Sequence, residues 1–285
     1  MPELPEVETM CRGLHSLVGR QIESAACPAI DVKPCGMYPK KATLLRRLKG
    51  SEVLAIERRG KRVVLRLDCG YLVFQPKMTG LVCLTDPPDP GHVRLILKMR
   101  FAAGANQAAG HAAERVYFWD RRGLGTIALW SSEELETHLG SDVLGIDALE
   151  INADELQERA GRSKRAIKVV LLDQKIVAGV GNLYASEILH RIGLDPRQGA
   201  DSLTNSQWQL LHAAMRDILQ TAIRYEGSTL GDGTYRNALN QDGSYQNHHQ
   251  VYDREGEKCL TCGRGDILRI VQTQRATFFC AECQR

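Results

Sequence analysis

Apolar residues recur at helical spacing from the start of the chain. Val7, Met10, Cys11, Leu14 and Leu17 form one stripe and predict a helix from about Glu3 to Leu17. Pro2 then lies at the mouth of that helix, with Glu3 and Glu6, three residues apart, sharing a face. From Gln21 to Trp130 the pattern is strand-like. Short apolar runs fall at Val53–Ile56, Val63–Leu67, Tyr71–Phe74, Leu81–Leu84, Val93–Leu97 and Val116–Trp119, with turns at Asp68–Gly70 and Pro87–Gly91. Many short strands at regular spacing predict a β-sandwich. Residues 102–113, rich in Ala and Gly, read as a hairpin tip with no function assigned.

Helical signals take over beyond Trp130. Ser131 and Asn152 each precede an acidic first turn, as helix N-caps do. Ile167–Leu172, Leu183–Ile192 and Trp208–Tyr225 are helical runs, and Ile267–Gln272 and Ala276–Phe279 are strand-like again. The predicted fold class is therefore α+β, and 285 residues suit two domains better than one core. The expected boundaries are an N-terminal sandwich at 1–131, a linker at 132–150 (with Gly140–Leu149 as its link proper), a helical region at 151–252 and a ribbon at 253–285. At 43% hydrophobic and 25% charged residues the composition is that of a soluble globular protein. No apolar run approaches the ~18 residues that span a bilayer. The acidic N-terminus lacks the apolar core of a secretory signal, so a cytoplasmic protein without membrane association is expected.

The net charge of +3 conceals clustering. Lys40 to Arg66 holds ten Lys and Arg against Glu52 and Glu57, and Arg159 to Arg197 holds eight against Asp173, Glu187 and Asp195. Between them, Ser131 to Glu158 carries nine acids and no Lys or Arg. Such blocks point to oriented surfaces and a polyanionic partner, nucleic acid first among them.

Four of the nine cysteines form a pattern: Cys259-x2-Cys262, then seventeen residues, then Cys280-x2-Cys283. This is four-thiolate zinc spacing, each pair on a tight turn. Two disulfides are the other reading, disfavoured in a cytoplasmic chain. Cys11, Cys27, Cys35, Cys69 and Cys83 show no ligand spacing.

Pro2 carries the candidate chemistry. Its side chain is small enough for Met1 to be trimmed, which would expose a secondary amine whose reference pKa is about 8. Such an amine can attack a sugar carbon and form a Schiff base, with Glu3 and Glu6 as proton carriers. The same residues also suit plain helix initiation, a proline in the first turn and acids at the positive end of the helix dipole.

The stretches Pro2–Glu8, Lys61, Met78-Thr79-Gly80, Gly179–Glu187 and Gln274–Cys280 together resemble the formamidopyrimidine-DNA glycosylase family, which includes the endonuclease VIII-type enzymes. The Pro-Glu-Leu-Pro opening resembles the oxidised-purine branch. The resemblance implies a bacterial-type, monomeric repair enzyme acting on damaged double-stranded DNA in a cleft between a β-sandwich domain and a helix–two-turn–helix domain with a zinc ribbon. It implies a bifunctional glycosylase and lyase in which the Pro2 nitrogen attacks C1′, Glu3 serves as proton donor, and eliminations cut the strand on both sides of the sugar. Lys61 would reach a phosphate beside the lesion, and Arg275 the phosphates flanking the flipped nucleotide. Met78, Arg122 and Leu124 would fill the hole left by a flipped base. Lys164, Asn182 and Tyr184 would join the DNA-binding set, with Glu6 and Glu187 in support. One structural zinc ion would be held by Cys259, Cys262, Cys280 and Cys283.

The chain departs from the family pattern in three places. The loop Asp120–Gly125 lacks the usual proline and phenylalanine, Gln75-Pro76-Lys77 replaces His-Leu-Gly, and Glu226–Tyr252 matches the lesion-capping loop poorly. An oxidised-pyrimidine glycosylase or an abasic-site lyase is thus the nearest rival reading, and a non-catalytic binder of damaged DNA a more distant one.

Overall fold

Helix α1 (Leu4–Gly13) begins where a proline in its first turn and a reciprocal capping box between Glu3 and Glu6 supply its start signals. The computed structural model describes residues 2–29, 32–101, 114–231, 233 and 235–285. The predicted hairpin tip at 102–113 lies outside the described residues. The α-helix stops at Gly13 and continues as a single 3-10 turn, His15–Leu17, so the expected stripe is still buried through Leu14 and Leu17.

Two compact units divide the chain, residues 1–140 with 225–244 and residues 141–224 with 245–285. In the first, β1 (Arg20–Ala26), β7 (Val93–Phe101), β8 (Arg115–Asp120) and β6 (Gly80–Cys83) form one antiparallel sheet in that order. A second sheet runs β2 (Gly36–Tyr38), β9 (Thr126–Trp130), β5 (Gly70–Gln75), β4 (Arg62–Leu67) and β3 (Val53–Arg59), with only the β2–β9 pair parallel. Their buried side chains share one core, in which the Phe74 and Phe118 rings meet at 5.3 Å. Each such residue contributes about 1.5–3 kcal/mol through burial.

Helix α2 (Lys41–Leu48) lies inside the stretch whose pattern is strand-like. Leu44 and Leu48, four apart, are buried while the Lys and Arg residues face out, and this local periodicity prevails over the β-rich surroundings. Helix α3 (Ser132–Leu139) occupies much of the expected linker. It packs Leu135 and Leu139 against Val64, Val73 and Ala128, and Trp130 stacks on His138 at 4.6 Å.

Residues 225–244 follow the helices in sequence but fold with the first unit. Leu84 N donates to Ala238 O (2.8 Å), and Asn240 Nδ2 to Asp86 O (2.9 Å). This polar segment has no apolar stripe to mark its destination; these hydrogen bonds and the burial of Tyr235 in the first unit's core hold it there.

The second unit contains α4 (Ala153–Ala160), α5 (Ile167–Leu171), α6 (Asn182–Arg191) and α7 (Asn205–Arg224). A two-residue parallel pair, β10 (Ile146–Asp147) and β11 (Val177–Ala178), joins them. The hairpin β12 (Ile267–Gln272) and β13 (Arg275–Cys280) closes the unit, with Thr273 and Gln274 at its tip in the left-handed region (φ 46° and 62°). No described helix is long and apolar enough to cross a membrane.

Candidate active site and metal centre

Pro2 is buried at the N-terminus of α1 beside Glu3 and Glu6, each 3% exposed. Glu3 N donates to Glu6 Oε2 (2.9 Å), which orients the start of the chain. The other Glu6 oxygen accepts from Ser228 N (2.9 Å), tying the segment 225–244 to the same carboxylate. Gly227 makes this approach possible. Its φ is +79°, and a Cβ there would stand 2.8 Å from Glu6 Oε1. Tyr235, buried beside it, donates to Glu226 O (2.8 Å). Burial and the neighbouring Glu6 and Glu226 push its hydroxyl well above the usual range.

Lys61 sits half-buried in the turn between β3 and β4. Below that turn, Glu8 receives Arg12 Nε (2.9 Å) and Arg58 Nε (3.0 Å). Burial opposes ionisation of Glu8, but the two arginines prevail and hold its carboxyl below the ordinary range.

Met78 is 39% exposed in the turn between β5 and β6. Arg122 is exposed and Leu124 half-buried on the loop after β8. Asp120, fully buried, joins the two loops. Its carboxylate accepts from Thr79 Oγ1 (2.6 Å), Arg122 N (3.3 Å) and Gly125 N (2.7 Å). The buried Arg94 donates to Asp120 O from Nε (2.9 Å) and Nη2 (2.6 Å), and to Lys33 O from Nη1 (2.8 Å). Gly123 (φ +61°) completes the turn, since a Cβ would meet Lys33 O at 2.5 Å. A buried guanidinium and a left-handed glycine thus hold a loop that has no proline.

In the second unit Lys164 is exposed ahead of α5, and Asn182 is the first residue of α6, after the N-cap Gly181. Asn182 Oδ1 accepts from Lys168 Nζ (2.8 Å), which also donates to Ala276 O (3.0 Å) and Thr277 Oγ1 (2.7 Å). One fully buried lysine therefore positions both Asn182 and the strand that begins at the exposed Arg275. Tyr184 is 0% exposed and its ring packs on Tyr245 (5.7 Å), within the stretch of α6 that is buried from Leu183 to His190. Glu187 is buried too and accepts from Gln250 N (2.9 Å), Val251 N (3.0 Å) and Tyr252 N (2.8 Å). Burial raises its carboxyl above the usual range, against the pull of those amides.

Cys259, Cys262, Cys280 and Cys283 bring their sulfurs within 4.8 Å of one another. The Cys259–Cys283 and Cys262–Cys280 separations are 3.7 and 3.8 Å. A tetrahedron with metal–sulfur bonds of about 2.3 Å has sulfur–sulfur edges of about 3.8 Å, so the cluster has the size of a four-thiolate zinc site. The Gly265 and Arg264 amides pull the Cys262 thiol down to about 6. By contrast, burial pushes Cys11 and Cys83 up to about 12 and Cys35 to about 11, so these thiols are inert at neutral pH.

The sequence reading missed Lys168, Asp120, Arg94 and Ser228. Lys168 left a signal, a lone lysine inside the apolar run Ala166–Leu172. Ser228 left none, because it acts through its backbone N–H.

Comparison with known proteins gives a consistent result. Residues 1–127 match the formamidopyrimidine-DNA glycosylase N-terminal domain, and residues 139–233 match the formamidopyrimidine-DNA glycosylase H2TH domain. The formamidopyrimidine-DNA glycosylase of Azorhizobium caulinodans is 38% identical over 302 aligned positions, covering 100% of both chains. That of Bacillus subtilis is 36% identical, covering 100% of this chain and 99% of the relative. Among solved structures, the MutM (Fpg) protein from Thermus thermophilus superposes with a TM-score of 0.83 at 34% identity, covering 99% of this chain and 98% of that one. The Lactococcus lactis Fpg in complex with DNA containing an abasic site gives 0.84 at 30% identity, with 99% of each chain covered. The same protein has also been crystallised with DNA containing Fapy-dG, at a TM-score of 0.81 and 30% identity over 99% of this chain and 100% of that one.

Proposed function

Since the chain belongs to the formamidopyrimidine-DNA glycosylase family, we propose that it excises oxidised purines, formamidopyrimidine and 8-oxoguanine, from double-stranded DNA and then cuts the strand by β,δ-elimination. The observation that carries this reading is the buried N-terminus: Pro2 beside a Glu3–Glu6 capping box locked by Ser228 N. After removal of Met1, the Pro2 nitrogen attacks C1′ of the damaged nucleotide. The C1′–base bond breaks and the base leaves with its electron pair and a proton. Glu3 supplies a proton to the sugar ring oxygen, which opens the ring and leaves an iminium between Pro2 and C1′. A secondary amine reaches that cation without further deprotonation, and the cation acidifies C2′–H. Loss of that proton expels the 3′ phosphate, a second elimination expels the 5′ phosphate, and water releases the proline. Positioned carboxyl groups typically contribute about 10²–10⁴-fold to such proton transfers.

Lys61 and Arg275 would contact phosphates at the lesion, and Met78, Arg122 and Leu124 would fill the stack vacated by the flipped base. Lys164 and Asn182 would anchor backbone phosphates, an arrangement favoured by the N-terminus of α6. The four sulfurs would hold one zinc ion with no open coordination position, so its part is to fix the β12–β13 hairpin and Arg275. Activity on chromosomal DNA in the cytoplasm follows from this reading.

Borohydride trapping tests the proposal. A duplex carrying 8-oxoguanine or formamidopyrimidine is expected to give a covalent protein–DNA adduct that disappears in Pro2→Gly. No adduct with either lesion, or an adduct that survives Pro2→Gly, would refute it, and trapping only on thymine glycol would move the enzyme to oxidised pyrimidines.

A further inference from the structure

His190 lies in the last turn of α6 and is given no part in the proposed reaction. It is 5% exposed, and its Nε2 stands 3.5 Å from Sγ of Cys259, itself 1% exposed. Both residues are thus largely shielded from bulk solvent. The imidazole is not one of the ligand atoms gathered within 4.8 Å, which are the four sulfurs alone among the described residues. A thiolate bound to a metal has no proton to give, so a hydrogen between these two atoms must come from the ring.

We propose that His190 donates Nε2–H to the Cys259 thiolate of the zinc centre, and that this bond slows release of the metal and protects that sulfur from electrophiles. The inference rests on the zinc reading given above. A zinc ion with four thiolates carries a net charge of −2, and N–H donors offset that charge where water cannot reach. The ribbon supplies one from its own backbone, Gly265 N to Cys262 Sγ (3.5 Å). His190 brings a side-chain donor from a helix outside the ribbon. A hydrogen bond to bound sulfur draws electron density from it, making it a poorer nucleophile and a poorer base. Attack by an electrophile and protonation, two routes by which a thiolate leaves its metal, are both slowed.

The rest of the contact persists without His190. Glu187, one turn earlier on α6, holds the amides of residues 250–252. Beyond the helix, Leu194 O accepts from Gln284 Nε2 (2.9 Å) and Gly193 O from Arg285 N (3.1 Å). Loss of the imidazole donor should therefore loosen the metal without detaching the ribbon.

Zinc content of the purified full-length protein comes first: a wild type that holds no zinc overturns the zinc reading itself. With zinc present, its first-order transfer to an excess of chelator is compared in wild type, His190→Phe and His190→Gln. His190→Phe is expected to bind one zinc but release it about tenfold faster or more. Its cobalt-substituted form should show the sulfur-to-metal charge-transfer band at lower energy. His190→Gln, which keeps an N–H donor, should lie nearer to wild type. Equal release rates and an unmoved band in a folded His190→Phe protein would overturn the inference. Should that variant fail to fold, the zinc-loaded wild type still decides through the nitrogen NMR shifts of the imidazole. A protonated Nε2 supports the donor role, and a bare Nε2 with hydrogen on Nδ1 refutes it.

Discussion

Asp120 shows how one buried side chain governs two exposed ones. Its carboxylate receives Thr79 from the Met78 turn and the amides of Arg122 and Gly125 from the next loop. Replacement by alanine takes this acceptor from the Thr79 hydroxyl and from Gly125 N, at about 1–3 kcal/mol for each that stays buried, while Arg122 N keeps Thr79 Oγ1 at 3.0 Å. Asp120→Ala is therefore expected to lose about 3 kcal/mol or more of unfolding free energy in urea titrations, and to blur discrimination between bases opposite the lesion. Asp120→Asn, which retains an acceptor oxygen, should lose less, and an unaltered midpoint for Asp120→Ala would contradict this account of the loop. His249 gives a pH prediction. Burial, with His248 and Arg254 nearby, depresses its pKa to about 4, so the folded protein holds it neutral where the unfolded chain, with a value of about 6.5, is protonated. The unfolded state binds the extra proton between those values, so stability falls as pH drops from about 6.5 to about 4 and is unaffected by this group above that window. The loss reaches about 3 kcal/mol at most. Wild type should lose more thermal stability than His249→Leu between pH 7.5 and pH 5, and parallel losses would refute the assignment.

At the scale of elements, the start signals lie in the residues themselves. Ser131 accepts from Glu134 N and Asn152 from Glu155 N, and both acids reach back to the cap amide. Ser131→Ala and Asn152→Ala should each cost about 1 kcal/mol. As the two helices belong to separate units, the double variant should show the sum, read by calorimetry. Any large departure from additivity would mean that the caps are coupled. Helix ends are less legible. The apolar stripe of α1 extends to Leu17, yet the α-helix yields to a 3-10 turn after Gly13, because a stripe records which side is buried and not which hydrogen bonds hold it. Helix α2 illustrates the converse: a short amphipathic repeat is easily read as part of the surrounding strands.

Over the whole molecule, charge clustering yields a prediction about affinity. Phosphate contacts release counterions, so DNA binding should weaken steeply with salt. Lys164 is exposed ahead of α5, and Lys164→Ala is expected to lower the slope of log K against log salt by about 0.9 while reducing affinity similarly for all sequences. Fluorescence anisotropy across a salt series checks this, and an unchanged slope would remove Lys164 from the phosphate-binding set.

The residues alone determined much of this protein: the α+β class, most strands, both capped helices, the four-cysteine centre, and the Pro2–Glu3 opening with its family. These are local patterns, in which spacing along the chain already dictates which side chains share a face or a ligand sphere. Only the tertiary structure decided that Ser228 N reaches Glu6, that Arg94 and Asp120 frame the Arg122 loop, and that Lys168 links Asn182 to the ribbon. It also set the buried ring of Tyr184 against Tyr245. Apart from the local Asp120–Gly125 bond, these contacts pair residues 14 or more positions apart, and several use backbone groups that every residue carries. Hydrogen bonds of that kind leave no mark in composition or periodicity until the chain has folded.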